Sequence, residues 1–332
     1  MKLLVIAGVV LALSSSRPAM AESQEIRIAT LAPAGSPWMQ LLERAAVEIA
    51  DQTDRRVTIK YYTGGEQGDE RDFIRKIKAG QLDGAAITSV GLSMIDPSIR
   101  VLELPMLFKT QEEVDYVATK MWPYFQKNFE QKGFRLAERG ELGWIYFFSK
   151  KKVTSLADLR KQKLPLLGDD LGSTTLDKLK LTGVPLSIPE IDGALTSGRI
   201  DACFSSPLGA IALQWYLKVK YMSSTPMVYA MGATVMSLDA VKKVSADDRK
   251  IIEAISKRSQ KKARVVIRKA NQDAYKTILR KGITIVDVPQ AMIDELTKIA
   301  ATVQSELVGK VFSKEELDMV IAYRDEYRAK KK

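Results

Sequence analysis

The segment "IKAGQLDGAAI" (77–87) returns in altered form as "ALTSGRIDACF" (194–204). Each copy runs helix, glycine, one residue, an apolar residue, aspartate, then a short apolar strand. A glycine at that point supplies the left-handed helix stop, and the chain then turns directly into a buried strand. A unit of this kind used twice, well over a hundred residues apart, implies two α/β lobes with a cleft between them.

The surrounding pattern extends both copies. "IRIATLAP" (26–33) reads as a strand, and Ser36-Pro37 starts a helix in which Trp38, Leu41, Leu42, Ala45 and Ile49 share one face. "RVTIKYY" (56–62) is a second strand. Asp69 caps a helix carrying Phe73, Ile74 and Ile77, Gly80 stops it, and "LDGAAI" (82–87) is the third strand. This βαβαβ order predicts a mainly parallel sheet with helices on both faces. In the second copy "KLPLL" (163–167) is a strand, Ser173 caps a helix that Gly183 ends, "VPLSI" (184–188) is extended, and Ser187 with Glu190 has capping-box spacing. Beyond 236 the pattern is largely helical. A helix from Asp247 to Lys281 is long enough to pack across both lobes, "ITIVDV" (283–288) returns a strand, Pro289 starts another helix, and Ser313 with Glu316 caps the last. The expected organisation is a signal peptide (1–21), lobe 1 (22–147), lobe 2 (148–235) and a helical C-terminal region (236–332) returning to lobe 1 and packing across both.

Composition narrows the chemistry. Histidine is absent, which removes the usual general base of hydrolases and the commonest metal ligand. The single cysteine, Cys203, excludes an intramolecular disulfide framework and any multi-cysteine metal site, and its apolar setting predicts a buried, inert thiol. With no acidic pair or glycine-rich phosphate loop in a suitable setting, the chain reads as a non-enzyme without cofactor or metal. The opening "MKLLVIAGVVLALSSSRPAMA" has one lysine, an apolar run of about a dozen residues, short of the ~20 that span a bilayer, and Ala19-Met20-Ala21 as an A-x-A site. Cleavage after Ala21 and export to the periplasm are the expectation. The mature chain keeps 49 basic and 40 acidic residues, net +9. Its richest basic run, Lys250 to Lys281, is interleaved with Ile, Ala and Val at helical spacing, a solvated helix face and not a nucleic-acid stripe.

Over nearly the whole mature chain the sequence resembles the DctP-type solute-binding subunits of TRAP transporters. The pieces that carry the resemblance are "IRIATLAPAGSPW", "GGEQGDERDFIRKIKAGQLDGAAITS", "VLELPMLF", "SLADLRKQKL" and "GALTSGRIDACFSSP", in that order. It implies two lobes joined by crossing strands and a long spanning helix, closing on a small-molecule ligand that is handed to membrane permease subunits. In typical members an arginine after the "SLADLRKQKL"-like segment clamps the ligand carboxylate by a bidentate pair; here Pro165 stands in its place. The family's common asparagine contact falls on Ser206, next to Pro207, and a further arginine falls on Ile145. "SSPLGAIALQWYLKVKYM" is similar to a branch associated with a tetratricopeptide-repeat companion, for which hydrophobic ligands have been suggested.

These substitutions point to a hydrophobic or amphipathic, lipid-like ligand, because a buried carboxylate without a cationic partner is unfavourable by several kcal/mol. Candidate contacts are Trp144, Tyr146, Pro165 and Tyr229, with Thr88 and Ser89 at a strand's carboxyl end, where α/β sheets bind ligands. Gln67, Asp69 and Glu70 match the family's first-lobe loop, with helix capping or solvation as the plainer account for each; Trp38 at helical spacing reads as core. The alternative is an organic acid held by another basic residue, with Arg71 and Arg139 as candidates against surface solvation for both. A docking role in a membrane complex is a third reading.

Overall fold

The computed structural model describes residues 23–331; the predicted signal peptide lies outside them. β1 (Gln24–Thr30) pairs in parallel with β2 (Val57–Tyr62) on one side and β3 (Gly84–Thr88) on the other. The connecting helices are α1 (Pro37–Gln52), capped by Ser36, and α2 (Glu70–Lys78), where Asp69 and Asp72 form a reciprocal capping box. A short α3 (Ser89–Ser93), a 3₁₀ helix (Pro97–Glu103) and α4 (Gln111–Gln131) lead into β4 (Phe134–Ser149).

β4 is the long crossing strand. Its first part pairs antiparallel with β9 (Val228–Ser237), which itself pairs antiparallel with β3. Its last residues pair antiparallel with β7 (Ala202–Ser205) and β8 (Tyr221–Ser223) in lobe 2. The sheet is therefore mixed, not mainly parallel. The βα periodicity reported the three parallel strands correctly, but β9 returns directly from lobe 2 and enters antiparallel to β3, and β4 pairs with β9, again antiparallel. In lobe 2, α5 (Leu156–Leu159) precedes β5 (Lys163–Leu166), which pairs in parallel with β6 (Thr182–Pro185) as a separate two-stranded sheet. Between them, α6 (Asp170–Leu179) is capped by Asp169, not by Ser173, whose hydroxyl bonds the Asp170 carbonyl within the helix. It ends on Lys180 in the left-handed conformation, with Gly183 already in β6. α7 (Ile191–Ser197) and α8 (Pro207–Ala212) complete the lobe.

The recurring glycine–aspartate unit has one physical account in both lobes. Gly80 and Gly198 sit at φ +71° and +75°, just past their helices. The aspartate that follows accepts a hydrogen bond from a neighbouring strand's backbone: Asp83 from Arg27 N at 2.9 Å, Asp201 from Lys163 N at 3.2 Å. The carboxylate fastens the incoming strand to its neighbour in each lobe.

Lobe 1 is packed unequally on its two faces. One face carries a dense core in which Phe73 and Ile74 meet Phe125 and Phe129 of α4 and Val320 of α12 (Lys314–Lys330). The other carries a smaller cluster, Ile26, Ile28, Ile49, Val57 and Ile255, beneath α1 and α10 (Ala246–Arg280), a helix of 35 residues that follows α9 (Leu238–Lys243). β10 (Thr284–Val286) pairs with β8, and α11 (Gln290–Leu307) packs on α6.

α10 touches α1 and β4 and also α8 of lobe 2. Asn271 joins them: its amide donates to the Leu142 carbonyl at 2.9 Å, and its Oδ1 accepts from Leu208 N of α8 at 3.1 Å. Asn271→Ala is expected to lower stability by about 1–3 kcal/mol, the penalty of leaving backbone groups unsatisfied. Urea unfolding checks this, and wild-type stability in the variant would mean that the bridge is dispensable.

Candidate functional site

Where β3 ends, the chain turns at Thr88 into α3. The Thr88 hydroxyl caps that turn by accepting from Val90 N, and both its N–H and its O–H donate to the buried Glu70 carboxylate, at 2.6 and 2.8 Å. Ser89 donates to Glu103, whose other oxygen accepts from Met231 N at 2.7 Å. Arg100, only 8% exposed, closes the group by pairing with Glu103 and by reaching across to Asp169 Oδ2 at 2.8 Å. Asp169 belongs to lobe 2, so this ion pair joins the lobes.

Burial pushes the Glu70 and Glu103 carboxyls above their ordinary range, although each accepts several hydrogen bonds. Burial alone would depress Arg100, but the charges of Asp169 and Glu103 raise it. These directions follow from low-dielectric surroundings opposed by close partners.

A second buried network lies at the β4 edge. Arg139, 4% exposed, meets Asp115 of α4 at 2.6 Å and Glu141 at 3.0 Å. Arg268 of α10 reaches the same two carboxylates at 2.7 and 3.3 Å, with Arg264 at 3.7 and 3.8 Å. The Tyr229 hydroxyl donates to Glu141, and Trp38 Nε1 donates to the Glu141 carbonyl at 2.9 Å. Burial would raise Asp115, but hydrogen bonds from Arg268 and the charge of Arg139 bring it below its ordinary value.

Between these networks runs one continuous cavity of about 720 Å³ with predominantly apolar walls. It starts between the lobes, where Pro165, Leu167, Ile188 and Trp215 face it, and continues over Trp38 and Leu41 beneath α10. Left dry at ~24 cal/mol per Å³, a void of this size would cancel the about 5–15 kcal/mol that holds a typical domain together. It is a space that water or ligand fills, within the size range of small-molecule sites.

Of the ten residues proposed from sequence, Thr88, Ser89, Pro165 and Ser206 lie on this wall. The other six are placed elsewhere. Asp69 caps α2, and Gln67 accepts from Lys76 Nζ. Trp144 stacks edge-on against the buried Tyr229 at 5.0 Å between centroids, Tyr146 packs on Tyr275, and Pro207 opens α8. Arg71 is exposed, but Arg139 is buried and on the wall, contrary to the surface solvation expected for it. Trp38 is also on the wall, not simply core. Cys203 is buried, which pushes its thiol up to about 12. Arg100, Glu103 and Asp169 escaped the sequence reading. Their signal was present in "IRVLELP", an Arg and a Glu three residues apart inside an apolar run, a pattern that a solvated turn does not need.

A two-lobed α/β chain with crossing strands and a large cavity reaching between the lobes has the architecture of a solute-binding protein. The chain belongs to the DctP family, bacterial extracellular solute-binding protein family 7, whose profile matches residues 28–310. A solute-binding protein of Chromohalobacter salexigens is 24% identical over 289 residues, 85% of this chain and 84% of that one. Among solved structures, the sugar acid binding protein DctPAm of Advenella mimigardefordensis with galactonate superposes at a TM-score of 0.87, with 18% identity over 92% of this chain and 99% of that one. A TRAP periplasmic solute binding protein of Bradyrhizobium in complex with galacturonate gives 0.84, with 22% identity over 91% and 100%. Among the described residues no helix is long and apolar enough to cross a membrane.

Two outcomes are expected from the strand-end network. Glu70 binds its proton more tightly folded than unfolded, so its contribution to stability is complete below the ordinary glutamate value of ~4.3 and is lost as pH rises through the elevated folded value. Glu70→Gln should therefore gain stability relative to wild type as pH rises from acid to neutral; parallel pH curves from chemical denaturation would count against this. Asp169→Asn keeps the helix cap but removes the charge facing Arg100. It should increase the radius of gyration by small-angle X-ray scattering as the lobes part, and an unchanged radius would mean that the pair does not hold them.

Proposed function

We propose that this chain is the extracytoplasmic solute-binding subunit of a TRAP-type secondary transporter, working in the periplasm by binding and release without chemistry. It captures a hydrophobic or amphipathic small molecule in the space between its lobes and delivers it to the membrane permease subunits. A tetratricopeptide-repeat companion is a further proposed partner.

The observation that carries the ligand class is the position of Pro165 on the cavity wall. It occupies the place of the family's clamping arginine and can donate neither a side-chain nor a backbone hydrogen bond. Of the lobe 1 cations on the wall, Arg100 already holds Glu103 and Asp169. A small hydrophilic acid such as the galactonate or galacturonate bound by the structural relatives would meet apolar walls here and lose hydration without replacement. Thr88, Ser89 and Ser206 line one side of a predominantly apolar space, where Thr88 and Ser89 already donate to Glu70 and Glu103.

An organic acid held by a non-standard basic residue is the second reading, and one observation favours it: the buried guanidinium of Arg139 on the same wall.

Native mass spectrometry of the purified mature protein, followed by solvent extraction, separates the two. A stoichiometric adduct that passes into organic solvent is the expected result, and a small water-soluble acid would overturn the hydrophobic reading. Pro165→Arg should weaken a long-chain ligand by about tenfold or more, because it buries an unpaired charge. Unchanged affinity by calorimetry would move Pro165 out of the site.

A further inference from the structure

Resting on the reading of an amphipathic ligand, we infer that its polar end is anionic and lies within lobe 1 against Arg139, with its hydrocarbon chain running beneath α10 towards the interlobe space. The site is a chamber on one face of the lobe 1 sheet, away from the position where Pro165 has replaced the clamp.

Part of the chamber is lined by small residues. Ala86, Gly232 and Thr234 on the strands face Ala45 of α1 and Ala263 of α10 across the cavity. The opposite face of the same sheet is closed by phenylalanines and leucines. Side chains of one or a few heavy atoms, under a helix held at a distance by other contacts, leave a slot suited to a flexible chain.

Arg139 gives the slot a polar group partway along β4, opposite Ala233. Its side chain is on the wall and 96% buried, its Nη2 bonds Asp115 and Glu141, and its Nη1 has no hydrogen-bond partner among the described residues. Arg264 Nε, in the same cluster, is likewise buried without an acceptor. Three guanidiniums, Arg139, Arg264 and Arg268, share two carboxylates, Asp115 and Glu141, which leaves one positive charge in excess among the described side chains. A buried donor with a surplus of positive charge is unfavourable until an anion meets it. Hydrogen bonding and charge both ask for an acceptor with negative charge beside Arg139, and the apolar stretch from Gly232 and Leu142 to Ala230, Ile145 and Val228 asks for methylenes towards the interlobe space.

The chemistry is that of a single-chain amphiphile with an anionic head, either a carboxylate or a phosphate. Three probes of one chain length separate the possibilities: hexadecanoate, hexadecyl phosphate and hexadecanol, measured on the delipidated mature protein by displacement of a fluorescent fatty-acid analogue. The acid, the phosphate or both should bind at least about tenfold more tightly than the alcohol, and whichever binds better identifies the head. Arg139→Gln should bring acid and alcohol together, and Arg139→Lys should fall between. Equal affinity for acid and alcohol in the wild type, or an equal loss of both in Arg139→Gln, would overturn the inference while leaving an apolar ligand in place. Failure of all three probes would remove the amphipathic reading itself and this inference with it. Should Arg139→Gln not fold, Ala263→Phe tests the path from the helix side: hexadecanoate should weaken at least tenfold, and unchanged hexadecanoate binding would place the chain elsewhere.

Discussion

The ion cluster at the edge of β4 fixes where α10 lies, and the shape of the cavity depends on that helix. Asp115 comes from α4 on one side of the sheet edge, Arg264 and Arg268 from α10 on the other, and Arg139 and Glu141 from the strand between them. At the helix's start, Arg56 holds Asp248 at 2.7 Å, and in its C-terminal half Asn271 grips β4 and α8. These contacts are directional, so they set the height of the helix above the sheet. Apolar packing alone would let it settle until the space beneath closed, because hydrophobic attraction has no preferred separation other than contact. A polar frame around an apolar interior is thus the means by which a persistent cavity survives in a folded lobe.

The interlobe charges answer a different need. Arg100 spends its guanidinium on Glu103 and Asp169, partners supplied by the protein itself. A buried pair of this kind adds little net stability, because desolvation opposes attraction, but it fixes the geometry in which the groups can meet. Here it joins the 3₁₀ helix of lobe 1 to the first turn of α6 in lobe 2. A cation committed in this way discriminates against ligands that would have to compete with Asp169 for it, which is selection by removal of a contact.

The fold was largely legible because its signals are local. The glycine–aspartate unit, the caps at Ser36, Asp69 and Ser313, and the capping box of Ser187 with Glu190 all act within a few residues. The site was less legible, for reasons of register. Trp144 and Tyr146 share a parity along β4, but period-two alternation does not say which face of the sheet they take. Two register shifts in the β4–β9 pairing, between Leu136 and Arg139 and between Glu141 and Gly143, reset the alternation. Ile145, the residue between the two aromatics, is the one that faces the cavity; on β9, Val228 and Ala230 line it while Tyr229 turns away to Glu141. At α6 both Asp169 and Ser173 suit the cap in isolation; Asp169 takes it by accepting from Gly172 N, and its other oxygen is left for Arg100. The burial of Arg139 was not legible because it depends on a carboxylate distant in sequence, Asp115 of α4, which Arg268 also holds.

On the proposed reading, affinity and closure come from different parts of the ligand. A head held by Arg139 would be anchored wholly within lobe 1, so that contact alone gives no reason for lobe 2 to approach. The hydrocarbon chain would reach the interlobe walls at Pro165, Leu167 and Ile188, and each Å² of apolar surface it covers there contributes about 25 cal/mol to the closed form. Because that contribution is proportional to area and has no direction, it tolerates ligands of differing length. The directional part of closure is left to Arg100 and Asp169, which meet whatever the ligand is. A scaffold whose structural relatives hold sugar acids would in this way accept a graded series of chains: the head sets the binding class, the tail sets how strongly the lobes are held, and a protein ion pair keeps their final arrangement the same.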